Sequence, residues 1–324
     1  MRSGLLIGVG AGLVSALVLV AAAKGGTVFA LFALVFLAPL PIIIAGLGWG
    51  WQSALLAALF AGGALGIAVQ PKAAAMHMAA IGLPMAVFSY FLMLNRVSAT
   101  GPDQQQPAIE WYPLGRILGL SALIAGGLAT VALLSIANDV EGLQTEVRKV
   151  VDKIVAGQIP FPGREGRGPT ESELDAFAKV MTQSFGAAIA TFWMALACLN
   201  MWLGGLIAQA SGRLGRPWPD LSRLTLPRET PLAFVLSIAL SFLSGYPGLI
   251  ASGFASAFFF AYLIVGLAIL HNITRGLGAR MMILVAVYLA LVFFNPFSGI
   301  IVALIGIAEP ISPLRRSQSS SPGG

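Results

Sequence analysis

The chain has 324 residues, of which 57% are hydrophobic and only 10% charged, and its mean hydropathy is +0.87. A soluble domain carries about 25% charged residues, so a single water-facing core cannot absorb this much apolar surface and lipid must take the rest. The net charge is +6, yet residues 137–183 hold eight of the thirteen acids against six bases, which leaves the remainder basic by thirteen to five; on a membrane protein that excess reads as orientation and anionic headgroup contact rather than nucleic-acid binding.

In chain order, apolar runs near the roughly 20 residues that a bilayer core requires predict spans at 4–23, 28–48, 51–69, 73–94, 113–136, 185–209, 231–245, 249–270 and 281–308. The expected fold is therefore all-α, a polytopic transmembrane helix bundle of about nine spans (eight to ten), with an extracytoplasmic amphipathic helical insertion. It divides into an N-terminal membrane bundle at 1–136, an outer segment at 137–183, a C-terminal membrane bundle at 184–310 and a disordered tail at 311–324.

In the first span Gly4, Gly8, Gly12 and Ala16 recur every four residues, which lines one helix face with small side chains for close packing against an internal or external partner. Arg2, an apolar stretch and Ala21-Ala22-Ala23 also fit a cleaved signal peptide, but a signal needs no such stripe, and a retained helix is expected. The second span contains Pro39 and Pro41. Each removes a backbone donor, and a break of this kind persists in lipid only where it is buried in protein or lines a cavity. Two readings follow: a packing kink, or a midplane site of the sort that transporters build from discontinuous helices. Trp49 and Trp51 belong to an interfacial belt, at a turn through Gly46, Gly48 and Gly50. Small residues return in the third span at Ala54, Ala58, Gly62 and Gly66.

Between the fifth and sixth spans, Val140, Leu143, Val147, Val150 and Ile154 fall on one helical face, and Leu174, Phe177, Ala178, Met181 and Phe185 on another. Thr170 with Glu173 forms a capping box, and Asn138 with Glu141 repeats it more weakly. The pattern predicts two short amphipathic helices on the outer surface, joined by a Gly- and Pro-rich stretch at 157–169. In the sixth span Asn200 lies near Trp193, Cys198 and Trp202; its amide both donates and accepts, and so serves either an interhelical hydrogen bond or a ligand. Pro39, Pro41, Trp193 and Asn200 are the candidate substrate-binding residues. Asn295-Pro296 interrupts the last span, which reads as one kinked helix or as a tight hairpin.

Nothing in the chain suggests catalysis or a cofactor. His77 and His271 lack the i, i+4 spacing of a zinc helix, the single cysteine lies in an apolar run, and no nucleophile elbow, P-loop or paired-carboxylate motif occurs. No span carries a carboxylate or lysine near its centre, so any transport would draw its energy from another subunit. With the N-terminus inside, the cytoplasmic side receives Arg2, Arg96, Arg116, Arg213, Arg216, Arg223, Arg228, Arg275 and Arg280, and the other side keeps Lys24 and Lys72. Arg315 and Arg316 then fall outside, which favours an even number of spans.

The stretches "PLPIIIAGLGWG" (39–50), "WYPLGR" (111–116), "LNMWLGGLIAQASGRLGRPWPDLSRLTLP" (199–227) and "AYLIVGLAILH" (261–271), in that order, resemble the YybS-like predicted membrane proteins of bacteria. The resemblance implies no settled activity and no catalytic residues. It does imply a distant similarity to the substrate-binding membrane subunits of energy-coupling-factor vitamin transporters, which dock on a shared ATPase module through small-residue faces. On that basis the Gly4 to Ala16 stripe looks like a docking face, and the partners would be the lipid bilayer together with an ATPase-containing transporter module or other membrane subunits. This chain departs from those subunits in having more than six spans and an outer insertion. The function expected is that of an integral protein of the bacterial inner membrane, multi-pass, N-terminus cytoplasmic, not an enzyme, and transporter-like in binding a small, weakly charged solute. The alternative is a membrane scaffold or assembly partner without a ligand.

Overall fold

In a computed structural model the chain is described over residues 2–24, 34–98, 108–156, 169–294 and 296–309. Positions 28–33 of the second expected span, the joint at 157–168, Asn295, Arg315, Arg316 and the tail at 311–324 lie outside the described residues. The helices are α1 (Arg2–Lys24), α2 (Leu40–Trp49), α3 (Trp51–Ala68), α4 (Pro71–His77), α5 (Leu83–Met93), α6 (Leu114–Ile136), α7 (Val140–Ala156), α8 (Glu171–Ala210), α9 (Thr230–Ser241), α10 (Tyr246–Ile273), α11 (Arg280–Phe293) and α12 (Phe297–Ala308). A π turn, Met78–Gly82, joins α4 to α5. One antiparallel hairpin, β1 (Asn95–Ser98) and β2 (Ala108–Trp111), pairs Asn95 with Trp111 and Ser98 with Ala108.

Among the described residues, six helical stretches are long and apolar enough to cross a membrane: Ser3–Ala22, Trp51–Ala68, Pro71–Met93, Leu114–Ile136, Glu171–Ala210 and Tyr246–Ile273. Three of the nine expected spans fall instead on shorter helices among the described residues, two of them interrupted at a proline. The second is Leu34–Trp49, interrupted at Ala38 and Pro39. The seventh is α9, 12 residues with Pro231 in its first turn. The last resolves into two helices, α11 and α12, on either side of Pro296. Pro84 has a milder effect. It lacks the donor for a helical bond one turn back, and the ladder widens ahead of it into the π turn without ending the span.

Packing divides the chain into two compact units that interleave along the sequence: Met1–Ser121 with Ala195–Leu226, and Ala122–Met194 with Pro227–Gly324. In the first unit α3 is the hub. The α1 stripe lies directly on it: a Cβ at Gly4 would come 3.0 Å from the Ser53 hydroxyl, one at Gly8 2.7 Å from the Ser53 carbonyl oxygen, and one at Gly12 would overlap the Ala57 carbonyl. Ala16 continues the contact with Ala61 and Leu65. The order of these partners makes α1 and α3 parallel. Of the two readings of the stripe, helix packing within the chain or a docking face, the geometry fits the first, since a helix of the same chain covers it. The second stripe faces other neighbours. Ala54 meets Gly46 of α2, Ala58 meets Gly82, and Gly62 and Gly66 meet Met78 and Ala74 of the antiparallel α4–α5 segment. The two small-residue stripes therefore do not mate with each other; α1 uses the Ser53, Ala57 and Ala61 side of α3. The opposite side of α1, with Leu6, Leu13 and Leu17, is exposed, as a lipid-facing surface would be.

The second unit takes α8 up to Met194; the whole helix has 40 residues, about 60 Å against a hydrocarbon core of about 30 Å. The expected second amphipathic helix is thus not a separate surface element; it is the first turns of α8. A core of Leu133, Leu143, Val147, Val151, Leu174, Ala178 and Leu249 holds α7 against α6, α8 and α10. The register of α7 is corrected as well: Val151 is buried, whereas Val150 and Ile154 are exposed, and so is Phe177 on α8. At the start of α8 the backbone N–H of Thr170 donates to the Glu173 carboxylate at 2.9 Å, one half of the expected capping box. At α7 the cap is Asp139, whose Oδ1 accepts from the Gly142 N–H at 2.6 Å, and not Asn138. Arg148 of α7 bonds Asp152 at 2.8 Å and pairs with Glu171 and Asp175 of α8. The Tyr246 hydroxyl donates to the Ala137 carbonyl at 2.7 Å and so satisfies the end of α6. Elsewhere in this unit Gly266 and Gly306 let α10 and α12 cross with backbone against backbone, the Gly266 position abutting the Val302 carbonyl.

Leucine at Gly8 or Gly12 should destabilise the protein by about 1–3 kcal/mol, the usual cost of overpacking. Leucine at Gly10, where an added Cβ meets nothing, should leave stability unchanged. Thermal melts of the three variants in one detergent check this, and equal melting temperatures would contradict the parallel α1–α3 contact.

Candidate functional site

The break in the second span places Pro39 among fully buried residues, with Ala38, Ile42 and Ile43 all at 0% exposure. Without their N–H groups, Pro39 and Pro41 cannot bond the carbonyls one turn earlier, and the opened turn presents oxygens to neighbouring side chains. Two side chains use it. Ser15 Oγ of α1 donates to the Ala38 carbonyl at 2.7 Å. Asn200 Nδ2 of α8 donates to the Phe36 carbonyl at 2.7 Å and to Leu196, one turn back on its own helix, at 2.8 Å. Close packing accompanies the bonds, since the Gly204 position abuts Ile43 of α2. Asn200 is completely buried, and its Oδ1 meets no donor among the described residues.

Pro39, Pro41 and Asn200 therefore come together in the first unit. Trp193 is buried on α8 but belongs to the second unit, seven residues or roughly 10 Å up the helix axis from Asn200. Trp202 is exposed. His77 is buried at the head of the π turn, with neither ring nitrogen bonded to any described residue, and among the described residues no group of three His, Cys, Asp or Glu side chains could hold a metal ion.

At one end of the first unit the structure assembles a second feature. The α2–α3 turn, which passes through Gly50 at φ 100°, the β1–β2 hairpin, and the loop after α8 meet there. Arg213 lies over the Trp49 ring at 5.3 Å, Arg216 over Trp111 at 5.3 Å, and Arg116 over Tyr112 at 6.0 Å, while Trp51 meets Tyr90 edge-on. A cleft of about 220 Å³ opens among Trp111, Tyr112, Gly115, Arg216, Asp220 and Arg223. The loop reaches this position because residue 115 is glycine: any Cβ there would overlap the Thr225 carbonyl. Arg216 is anchored by a bond from Nη1 to the Leu92 carbonyl at 2.9 Å, and partial burial pulls its pKa below the ordinary arginine value. In the sequence this end is signalled by the density of arginine and aromatic side chains in "WYPLGR" and "SGRLGRPWPDLSR".

Several bilayer-length apolar helices, glycine-mediated helix crossings and an arginine–aromatic end define a polytopic α-helical membrane protein. The chain matches, over residues 12–309, a family described as predicted membrane protein (DUF2232), and it belongs to that family. No curated protein matches it, and no solved structure does.

Truncating Asn200 to alanine should cost about 1–2 kcal/mol through loss of the bond to Phe36, and Ser15→Ala somewhat less. Because both act on one turn, the double variant should lose less than the sum. A double-mutant cycle of unfolding in detergent measures this coupling.

Proposed function

We propose that this chain is a non-enzymatic, multi-pass protein of the bacterial inner membrane that acts as a scaffold or assembly partner, not as a solute carrier. The observation that supports this most is that the chain itself fills the proline break: Ser15 and Asn200 donate to the Ala38 and Phe36 carbonyls within it, and buried aliphatic side chains surround it. A midplane site built from a discontinuous helix would keep those carbonyls for a ligand. The transporter-like reading, with a small, weakly charged solute and an ATPase-bearing partner, draws on the likeness of the four quoted stretches to YybS-like proteins and, through them, to energy-coupling-factor subunits. One detail favours it: the buried Asn200 Oδ1 has an open acceptor valence. Coupling to a module through the α1 stripe is disfavoured, since α3 occupies that face.

An N-terminus in the cytoplasm follows from the arginines. Arg96, Arg116, Arg213, Arg216 and Arg223 gather at one end of the first unit, and basic residues translocate poorly. On this reading the four shorter apolar helices contribute further crossings beside the six long ones among the described residues, and α7 and the start of α8 lie on the outer side.

Replacing both Pro39 and Pro41 with alanine should lower the melting temperature, because the restored N–H groups would draw the turn straight toward Val35 and Leu37 while the neighbours, Ser15 and Asn200 among them, are built around the bend. A double variant as stable as the parent or more so would favour the solute-site reading instead. Topology has its own test: in a Cys198→Ala background, single cysteines at Ser3 and Ser211 should resist an impermeant thiol reagent applied from outside, whereas one at Thr145 should react. Outside labelling of Ser3 and Ser211 would reverse the orientation.

A further inference from the structure

We infer that the cleft between the start of α6 and the loop after α8 binds a phosphate group, and that Arg216 and Arg223 are its cationic ligands. Arg216 lines the cleft, forms no ion pair with any described acid, and keeps a buried Nε without a hydrogen-bond partner among the described residues. A guanidinium at the edge of a bilayer that lacks an acidic partner is poised for an anion supplied from elsewhere. Its one backbone bond, to Leu92, and the Trp111 ring beneath it hold the fork in place, so little side-chain freedom is lost on binding.

The rest of the lining agrees. Arg223 lines the cleft from the same loop, exposed and tied at 3.3 Å to Asp220. Asp220 is the one acid in the lining, and its carboxylate is already engaged: Oδ1 accepts from the Ser222 N–H at 3.1 Å and from the Ser222 hydroxyl at 2.5 Å, and Oδ2 faces Arg223. Pro113, Leu114 and Gly115 open α6, a helix of 23 residues, so its partial positive end points the same way. The volume, about 220 Å³, is below the roughly 300 Å³ at which drug-sized pockets begin and suits a headgroup or a free ion. Trp111 and Tyr112 provide the amphipathic rings that sit at headgroup depth. Basic pockets beside membrane helices take anionic headgroups on this chemistry, and inorganic phosphate presents the same oxygens.

The test uses the purified full-length protein in a neutral maltoside detergent. It is titrated with dioctanoyl-phosphatidylglycerol, with dioctanoyl-phosphatidylcholine, and with sodium phosphate against sodium chloride at matched ionic strength. Tryptophan fluorescence, to which Trp111 contributes from the cleft wall, and thermal shift are the readouts. Saturable binding of phosphatidylglycerol over phosphatidylcholine is expected, weakened about fivefold in Arg216→Gln and in Arg223→Gln. It should be unchanged in Arg96→Gln, whose side chain is paired with Glu110 and lies outside the lining. A saturable response to sodium phosphate with the same variant pattern identifies the free ion as a ligand, and a response to the lipid alone identifies the headgroup. No saturable response to either, unaltered binding in both cleft variants, or equal weakening in all three variants overturns the site. Should Arg216→Gln fail to fold for want of its Leu92 bond, Arg223→Gln, with a side chain 83% exposed, decides the matter alone.

Discussion

Backbone against backbone at α3 is the contact on which the first unit depends. Lipid tails are as apolar as leucine, so burial of apolar surface does little to hold one membrane helix to another; close van der Waals approach must do it. Gly8 and Gly12 let α1 rest on the Ser53 and Ala57 carbonyls, and on its other side α3 receives α2 through Gly46 and the π turn through Gly82. With both flanks covered, α3 fixes the direction of α1 and of the α4–α5 segment together.

That frame determines what the proline break can be. Because α1 is held close to α3, Ser15 reaches Ala38, and because Gly204 admits Ile43, Asn200 on α8 reaches Phe36. A turn that would expose bare oxygens to lipid is thereby closed inside protein, as a medium without water requires. The polar groups at the break are structural in the first instance. Chemistry open to an outside partner lies at the arginine-rich end of the unit, where aromatic rings and guanidinium groups are stacked in pairs.

The second unit solves a different problem. α7 is amphipathic and strongly charged, yet its apolar side is not left to lipid or water: Leu143, Val147 and Val151 enter a core with α6, α8 and α10. The extra length of α8 makes this possible by carrying Leu174 and Ala178 to the same core. Arg148, bridging to acids on both helices, adds a polar seam at the edge of that core, and the Tyr246 hydroxyl closes the end of α6.

Much of this was legible in the sequence. Composition and run length determined an α-helical membrane protein, since 1.5 Å per residue and a fixed bilayer thickness leave few alternatives; the four-residue glycine spacing determined that α1 would approach another helix closely. The sequence could not say which helix. Spacing along one strand of chain carries no record of its partner, and only the tertiary structure decided that Gly8 meets Ser53 while Ala58 meets Gly82. The same holds for Pro39 and Asn200. A proline announces an opened turn, but whether a ligand or the chain's own side chains bond its carbonyls depends on residues 23 and 164 positions away. Trp193 shows the converse: it is near Asn200 in sequence but falls in the other packing unit. The arginine cleft needed the fold most, because its two walls are separated by about a hundred residues and come together where Gly115 leaves room for the Thr225 carbonyl and Arg216 lies over Trp111.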